Sequence, residues 1–424
     1  MSSVGVFVID GAILIALPYL SWRYLGLRHI APLAMIQIIG GLALGPTVLG
    51  HIAPDFQHFL FPAANLSRLN GVATLAVVLF AFLTGMHLDG KMGRSLKRGT
   101  LGVALSSFLV PLILGVSLGY WLAQGDSSFL GPKASHWEFA FGFGICIAVT
   151  ALPVLASLLR EMNIMHTELG QQALGYAAVN DAALWAGVSV LLIAVAGAQD
   201  GGWHLAWIPL YLVFALLVLP WLMRRIVGNR IVEEAGEESD MMLITACGLA
   251  LVSSVAAEYA GLGYVLGAFL GGLAMPASVR APLIRRLDWP VTLLLMPFFF
   301  MVTGLRAQLD LFSPSMAMIV VTATVVAMAG KIGGVAISAR LAGSQWRRAL
   351  ALGSLLQSKG LMEVLVVTIL IDAGIVNSLV FSALIFVAIV CTVAAMPLTR
   401  FFIGGARTRA VVLGDRSLLA STGR

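Results

Sequence analysis

Apolar runs long enough to cross a membrane recur along this whole sequence, and they constrain the fold more than any other feature. A bilayer core of about 30 Å requires about 20 helical residues. Runs of that length follow one another from the first residues to Arg400 instead of forming one buried core. Because the chain is also 59% hydrophobic and only 11% charged, a soluble enzyme with a single anchor is excluded.

Breaks at charged, glycine and proline clusters divide the apolar runs into thirteen predicted transmembrane helices, numbered helix 1 to helix 13. The predicted helices cover 4–22, 31–50, 69–88, 99–123, 138–160, 168–197, 204–227, 240–258, 262–280, 289–306, 314–340, 348–373 and 378–403. We therefore expect an all-α, polytopic membrane protein, with a transmembrane domain at 1–403 and a short cytoplasmic tail at 404–424.

The basic residues predict the orientation of these helices. Of the 26 lysines and arginines, 21 fall in loops or the tail on one side and three on the other, and two lie inside helices. Because cytoplasmic loops carry the excess of lysine and arginine, the N-terminus is predicted outside and the C-terminus in the cytoplasm of a cell membrane. This placement also explains the net charge of +6 without nucleic acid as a partner.

Two predicted helices carry residues that interrupt a helix at mid-membrane depth. Helix 5 contains Thr150, Ala151 and Pro153, and helix 12 contains Lys359 and Gly360. Proline removes a backbone donor and glycine weakens the helix, so both segments are expected to unwind and expose backbone groups to an ion. The alternative is a simple kink at each position. Matched breaks indicate two inverted six-helix repeats, helices 1–6 and 8–13, related around helix 7.

A few charged residues lie inside the predicted spans, where each charge costs at least about 2.5 kcal/mol and is by default functional. Asp181 in helix 6 has small neighbours and no adjacent cation. Burial disfavours its charged form, so the carboxylate is expected to hold either a proton or a dehydrated Na+ or K+, but not both. The alternative is a structural salt bridge with Lys331. Asn180 beside it is either an oxygen ligand or a group that bonds another helix.

The remaining intramembrane charges each have two open interpretations. Lys331 in helix 11 either pairs with Asp181 or compensates the carbonyls and dipoles of the broken helices. Lys359 and Glu363 in helix 12 are one turn apart, so they either form a local ion pair or compensate the charge at the helix break. Asp10, near the outer end of helix 1, is the other acidic residue inside a span.

Other kinds of site find no support in the sequence. No metalloprotease or EF-hand pattern occurs, and the glycine-rich stretches lie inside apolar helices that are unsuited to phosphate. The three cysteines, at unrelated spacings inside apolar runs, match neither a disulfide framework nor a zinc site. We therefore expect no enzyme activity and no resident cofactor.

Several segments, in their order and spacing, resemble the monovalent cation:proton antiporter-2 family. The segments are 32–50, Thr150 to Ala156, Asn180-Asp181, Gly267 to Gly272, Pro297 to Leu305, Lys331, and Ser358 to Glu363. Two positions depart from the family pattern. Helix 3 ends Gly85-Met86-His87 where the family often has a glutamate, and an Asn-Asp pair is more typical of electroneutral relatives with arginine in place of Lys331.

This resemblance implies a homodimeric antiporter that exchanges a monovalent cation for protons by elevator-type alternating access. It implies that Asp181, Asn180, Thr150 and Ala151 bind the ion or proton. It also implies a moving core of helices 4–6 and 11–13 and a dimerisation scaffold of the other helices. Two rival functions stay open from the residues: Na+-coupled symport of an organic solute on a similar fold, and a sensor that transports nothing.

Overall fold

The described part of the chain is built almost wholly of α-helices in the computed structural model. The structure describes residues 3–27, 33–87, 98–165, 167–199, 211, 213–226, 240–260, 262–307 and 313–404. Within these ranges the extended structure is limited to one isolated bridge between Leu130 and Val376. The first nine helices are α1 Ser3–Tyr24, α2 Leu33–Leu44, α3 Leu49–Ile52, α4 Pro54–Leu60, α5 Ala63–His87, α6 Arg98–Gly125, α7 His136–Ala148, α8 Leu152–Glu161 and α9 Glu168–Gln199.

The described residues from 219 onward form nine further α-helices. They are α10 Leu219–Ile226, α11 Asp240–Tyr259, α12 Tyr264–Ala274, α13 Ala277–Pro290, α14 Met296–Arg306, α15 Pro314–Leu341, α16 Trp346–Leu355, α17 Leu361–Asp372 and α18 Ser378–Ile403. Two π-helical stretches, Phe214–Val218 and Val291–Leu295, lead directly into α10 and α14.

Nine helices among the described residues are long and apolar enough to cross a membrane, judged by length and composition. The predicted all-α, multi-pass fold is therefore confirmed, while the count of thirteen helices and the inverted repeat stay predictions. Residues 204–210, 212 and 227 of predicted helix 7, the polar segment at 227–239 that follows it, and residues 405–424 of the predicted tail lie outside the described residues.

Three predicted boundaries were wrong. Predicted helix 9 does not continue to 280, because Met275 and Pro276 adopt extended backbone after α12 and a new helical run from Ala277 reaches Arg306. Pro276 has no N–H to continue the helix, and it stands at the N-cap of α13. The same run places the start of predicted helix 10 at Ala277 instead of 289, and predicted helix 3 begins at Ala63 instead of 69. Predicted helix 2 agrees with the candidate span Leu33–Ile52, in which residues 45–48 interrupt the helix beside Gly45-Pro46.

The chain forms two compact units. The first unit comprises 1–17, 53–90 and 189–302, and the second comprises 18–52, 91–188 and 303–424. Within the second unit, small residues allow the long helices to approach closely. A Cβ atom on Gly144 of α7 would lie 2.8 Å from the backbone nitrogen of Val116 in α6, and one on Gly334 of α15 would lie 2.9 Å from Val110 of α6.

Candidate functional site

Two interrupted helices meet in the second unit. The break between α7 and α8 covers residues 149–151, and the break between α16 and α17 covers residues 356–360. The Thr150 hydroxyl donates to the Leu356 carbonyl at 2.7 Å, and the Ala151 N–H donates to the Ser358 carbonyl at 2.8 Å. The predicted breaks are confirmed, and each break supplies hydrogen-bond partners for the other.

Local sequence explains why the helices stop at these positions. Pro153 lies in the first turn of α8, where a missing N–H costs no helical hydrogen bond. Gly360 precedes α17 with φ of +80°, a conformation that side-chain-bearing residues rarely adopt. The Lys359 N–H beside it donates to the Thr392 hydroxyl of α18 at 3.1 Å, so the break is anchored to a third helix.

Two lysines occupy the carbonyl end of α7. The Lys359 ammonium lies 2.7 Å from the Cys146 carbonyl and 2.9 Å from the Ile147 carbonyl. The Lys331 ammonium of α15 donates to the Ala148 carbonyl. The last carbonyls of a helix lack helical hydrogen-bond partners and carry a partial negative charge. The two ammonium groups supply hydrogen-bond donors to these carbonyls and offset that charge. The Lys331 contact has the geometry expected for charge compensation at a broken helix, one of the two roles that the sequence left open for this residue.

Lys359 and Glu363 also face each other within predicted helix 12. The Lys359 Nζ lies 3.3 Å from Glu363 Oε2, and both side chains are 0% exposed. The local pair that the sequence suggested is present, but it is loose for a charge-assisted bond, and Lys359 shares its ammonium with α7.

Asp181 lies on α9 and is 1% exposed. Neither of its carboxylate oxygens has a hydrogen-bond partner among the residues that the structure describes. A direct hydrogen bond to Lys331, the structural alternative, is therefore not formed in this conformation. A buried carboxylate with both oxygens open is able to bind a proton or a desolvated cation.

Asn180 links Asp181 to the helix breaks. Its Nδ2 donates to the Thr150 hydroxyl oxygen at 3.2 Å, and its Oδ1 lies 3.0 Å from Ser107 Oγ of α6. Ser107 Oγ also lies 2.7 Å from the Ala104 carbonyl, so one hydroxyl proton serves two acceptors. In this conformation the Asn180 amide bonds groups on two other segments, as expected for one of the two roles that the sequence left open.

Comparison with known proteins assigns the family. The family model for the transmembrane region of sodium/hydrogen exchangers matches residues 12–403. The chain belongs to the sodium/hydrogen exchanger family.

Relatives in the exchanger family are named as cation/proton antiporters. Cation/H(+) antiporter 17 of Arabidopsis thaliana is 29% identical over 378 residues, which cover 87% of this chain and 45% of the relative. K(+)/H(+) antiporter 1 of Saccharomyces cerevisiae is 28% identical over 87% of this chain and 43% of its own length. This chain thus spans about half the length of these plant and yeast relatives.

Two further comparisons cover nearly the whole of both chains. Na(+)/H(+) antiporter NhaS4 of a Synechocystis species is 27% identical, over 89% of this chain and 93% of the relative. The structure of the sodium proton antiporter MjNhaP1 of Methanocaldococcus jannaschii covers 98% of this chain and 100% of that chain, with a TM-score of 0.66 and 13% identity. The exchanger fold is therefore shared.

Sequence reasoning missed three groups that hold the exchanger's candidate site together. The Ser107 and Thr392 hydroxyls and the Leu356 carbonyl each bond a residue of the breaks or Asn180. A serine or threonine inside an apolar helix usually bonds the backbone of its own helix, so its presence in the sequence rarely indicates a contact with another helix. A backbone carbonyl is present at every residue, so the sequence does not indicate which carbonyl takes part in the site.

Proposed function

We propose that this chain exchanges a monovalent cation, Na+ or K+, for protons across a cell membrane, with Asp181 as the group that binds either one. One observation carries the proposal. Both oxygens of the Asp181 carboxylate are buried and have no hydrogen-bond partner within the described part of the chain, and the adjacent Asn180 bonds Thr150 in one of the helix breaks. The family relatives, which are named as cation, sodium or potassium antiporters, support the same activity.

Asp181 performs the exchange because its two ligands compete for the same oxygens. When the carboxylate is ionised, it supplies the negative charge that a partly dehydrated cation requires. When a proton binds, that charge disappears and the cation leaves. Because one group cannot hold both ligands, a downhill flow of either drives the other uphill.

The surrounding residues keep this carboxylate available. Thr150 and Asn180 are bonded to each other, and Ala151 is bonded to Ser358, so the backbone near Asp181 is held in place. Lys331 and Lys359 neutralise the carbonyl end of α7, which otherwise would compete with Asp181 for the cation. We assign ion or proton binding to Asp181, Asn180, Thr150 and Ala151, and charge compensation to Lys331, Lys359 and Glu363.

Transport further requires that the site face each side of the membrane in turn. We propose an elevator-type movement of the core formed by predicted helices 4–6 and 11–13, since all residues of the candidate site lie on those helices. We also propose a homodimer in which the remaining helices provide the scaffold. The excess of lysine and arginine in alternate loops supports an external N-terminus and a cytoplasmic C-terminus.

A liposome assay tests the role of Asp181 directly. Purified protein in vesicles with an imposed pH gradient is expected to dissipate the gradient when Na+ or K+ is added, and Asp181→Asn is expected to abolish the response. Asp10→Asn is the matched control, because Asp10 is another fully buried aspartate but lies in the first unit. Wild-type rates from Asp181→Asn would refute the proposal.

The same vesicles identify the ion and test the symport alternative. Addition of Li+, Na+, K+ and Rb+ in turn ranks the cations, since selectivity among them depends on cavity size and dehydration. Na+ uptake that requires an added organic carboxylate, without proton release, would instead indicate a symporter.

A further inference from the structure

A second intramembrane carboxylate, that of Glu363, is fully buried but has few polar partners. It lies in the first turn of α17, is 0% exposed, and has Lys359 at 3.3 Å from its Oε2. Its Oε1 has no hydrogen-bond partner among the described residues. Glu363 is therefore a buried carboxylate with a single loose ion pair.

Lys359, by contrast, has hydrogen-bond partners other than Glu363. Its ammonium has three N–H donors, and two of them are directed to the Cys146 and Ile147 carbonyls at 2.7 and 2.9 Å. Those carbonyls stand at the negative end of α7. The charge of Lys359 thus stays stabilised even when Glu363 is neutral, whereas the charge of ionised Glu363 depends on Lys359.

We propose that Glu363 is a second proton-carrying group of the exchanger, separate from Asp181. Water delivers the proton when the site opens to one side, and an O–H bond forms on the open Oε1 without any redox change. The net charge of the Lys359–Glu363 pair then rises from zero to plus one. This inference rests on the proposed exchange at Asp181, and it makes the exchange electrogenic, because two protons move for each cation.

The groups that act electrostatically on Glu363 come from three neighbouring helices as well as its own. They are Lys359 on α17's own break, Lys331 on α15, and the thiols of Cys146 on α7 and Cys391 on α18. Lys331 acts electrostatically on both Glu363 and Asp181, so the two carboxylates share a charged neighbour. A ratio of two protons per cation requires that Glu363 lose its proton while Asp181 holds the cation and regain it while Asp181 is protonated.

The test measures proton and cation fluxes together in the same vesicles. Wild-type protein is expected to move about two protons per cation and to respond to an imposed membrane potential. Glu363→Gln keeps the shape of the side chain but cannot take up a proton, so its ratio is expected to fall by about half and its response to the potential to disappear. Asp372→Asn, at the exposed end of the same helix, is the matched control and is expected to keep the wild-type ratio.

A second variant separates proton carrying from simple neutralisation of Lys359. Lys359→Gln/Glu363→Gln removes both charges and is expected to fold, because it leaves neither a buried cation nor a buried anion without its partner. A ratio near one in this variant supports the proposal, and restoration of the wild-type ratio would overturn it. A wild-type ratio in Glu363→Gln, or a ratio of one in the unmodified protein, would also overturn it. Exchange that survives Asp181→Asn would refute the proposed function instead.

Discussion

The ammonium of Lys359 lies 2.7 Å from the backbone carbonyl of Cys146, although the two residues are 213 positions apart in the chain. This contact joins the end of one half-helix to the break in another. Both partners are fully buried, so the hydrogen bond is formed in a low-dielectric interior and its loss is costly.

Lys359→Met is expected to destabilise the protein by about 3–5 kcal/mol, because it leaves Glu363 without its cation and two carbonyls without donors. Thermal unfolding of the purified protein in detergent measures the loss. Arg347→Met removes an exposed cation at the start of α16 and is the control. Equal melting temperatures for the two variants would contradict the contacts described for Lys359.

Thr150→Val is expected to slow exchange and to destabilise the site by about 1–3 kcal/mol. The hydroxyl donates to Leu356 and accepts from Asn180, so valine leaves two buried polar groups without partners. Initial rates in liposomes and the melting temperature measure both effects. Thr150→Ser keeps the hydroxyl and is expected to retain most activity; a serine variant as impaired as valine would show that the methyl group matters instead.

Gly360→Ala is expected to cost about 1–3 kcal/mol through backbone strain, because φ is +80° and ψ is −117° at this position. The added Cβ would also lie 2.9 Å from the Met35 side chain and 3.2 Å from Val154. Gly333→Ala is the control, since a Cβ there meets nothing within 4 Å in the middle of α15. That change is expected to be neutral or slightly stabilising. Protein yield and melting temperature distinguish the two variants.

Gly131→Ala is expected to break a clasp between the loop before α7 and the loop after α17. In that clasp the Gly131 N–H donates to the Ile375 carbonyl at 2.9 Å and the Lys133 N–H to the Gly374 carbonyl at 3.0 Å. A Cβ on Gly131 would lie 2.2 Å from the Gly374 oxygen, which is too close to accommodate.

Hydrogen exchange at the amides of Gly131 and Lys133 reports on this clasp. Faster exchange at Lys133 is expected in Gly131→Ala and unchanged exchange in Gly125→Ala, where a Cβ meets no atom within 4 Å. Protected amides in the Gly131 variant would show that the loops pair without close contact at this glycine.

The local features of the site were predictable from sequence. Asp181 stood out because a carboxylate in an apolar helix is costly, and the two breaks stood out because proline and glycine act on their own backbone. Helix boundaries were less certain where a proline ends one helix and begins another, as at Pro276, because the apolar pattern continues across it.

The amino-acid sequence by itself determined that this chain crosses a membrane many times, since hydropathy and helix length are local properties. It also determined which residues carry charge inside the spans. Only the tertiary structure decided what those charges contact. Lys331 and Lys359 bond carbonyls of α7 that are 183 and more than 200 residues away, while Asp181 keeps both oxygens open. No local pattern encodes such pairings, because they depend on which helices pack side by side.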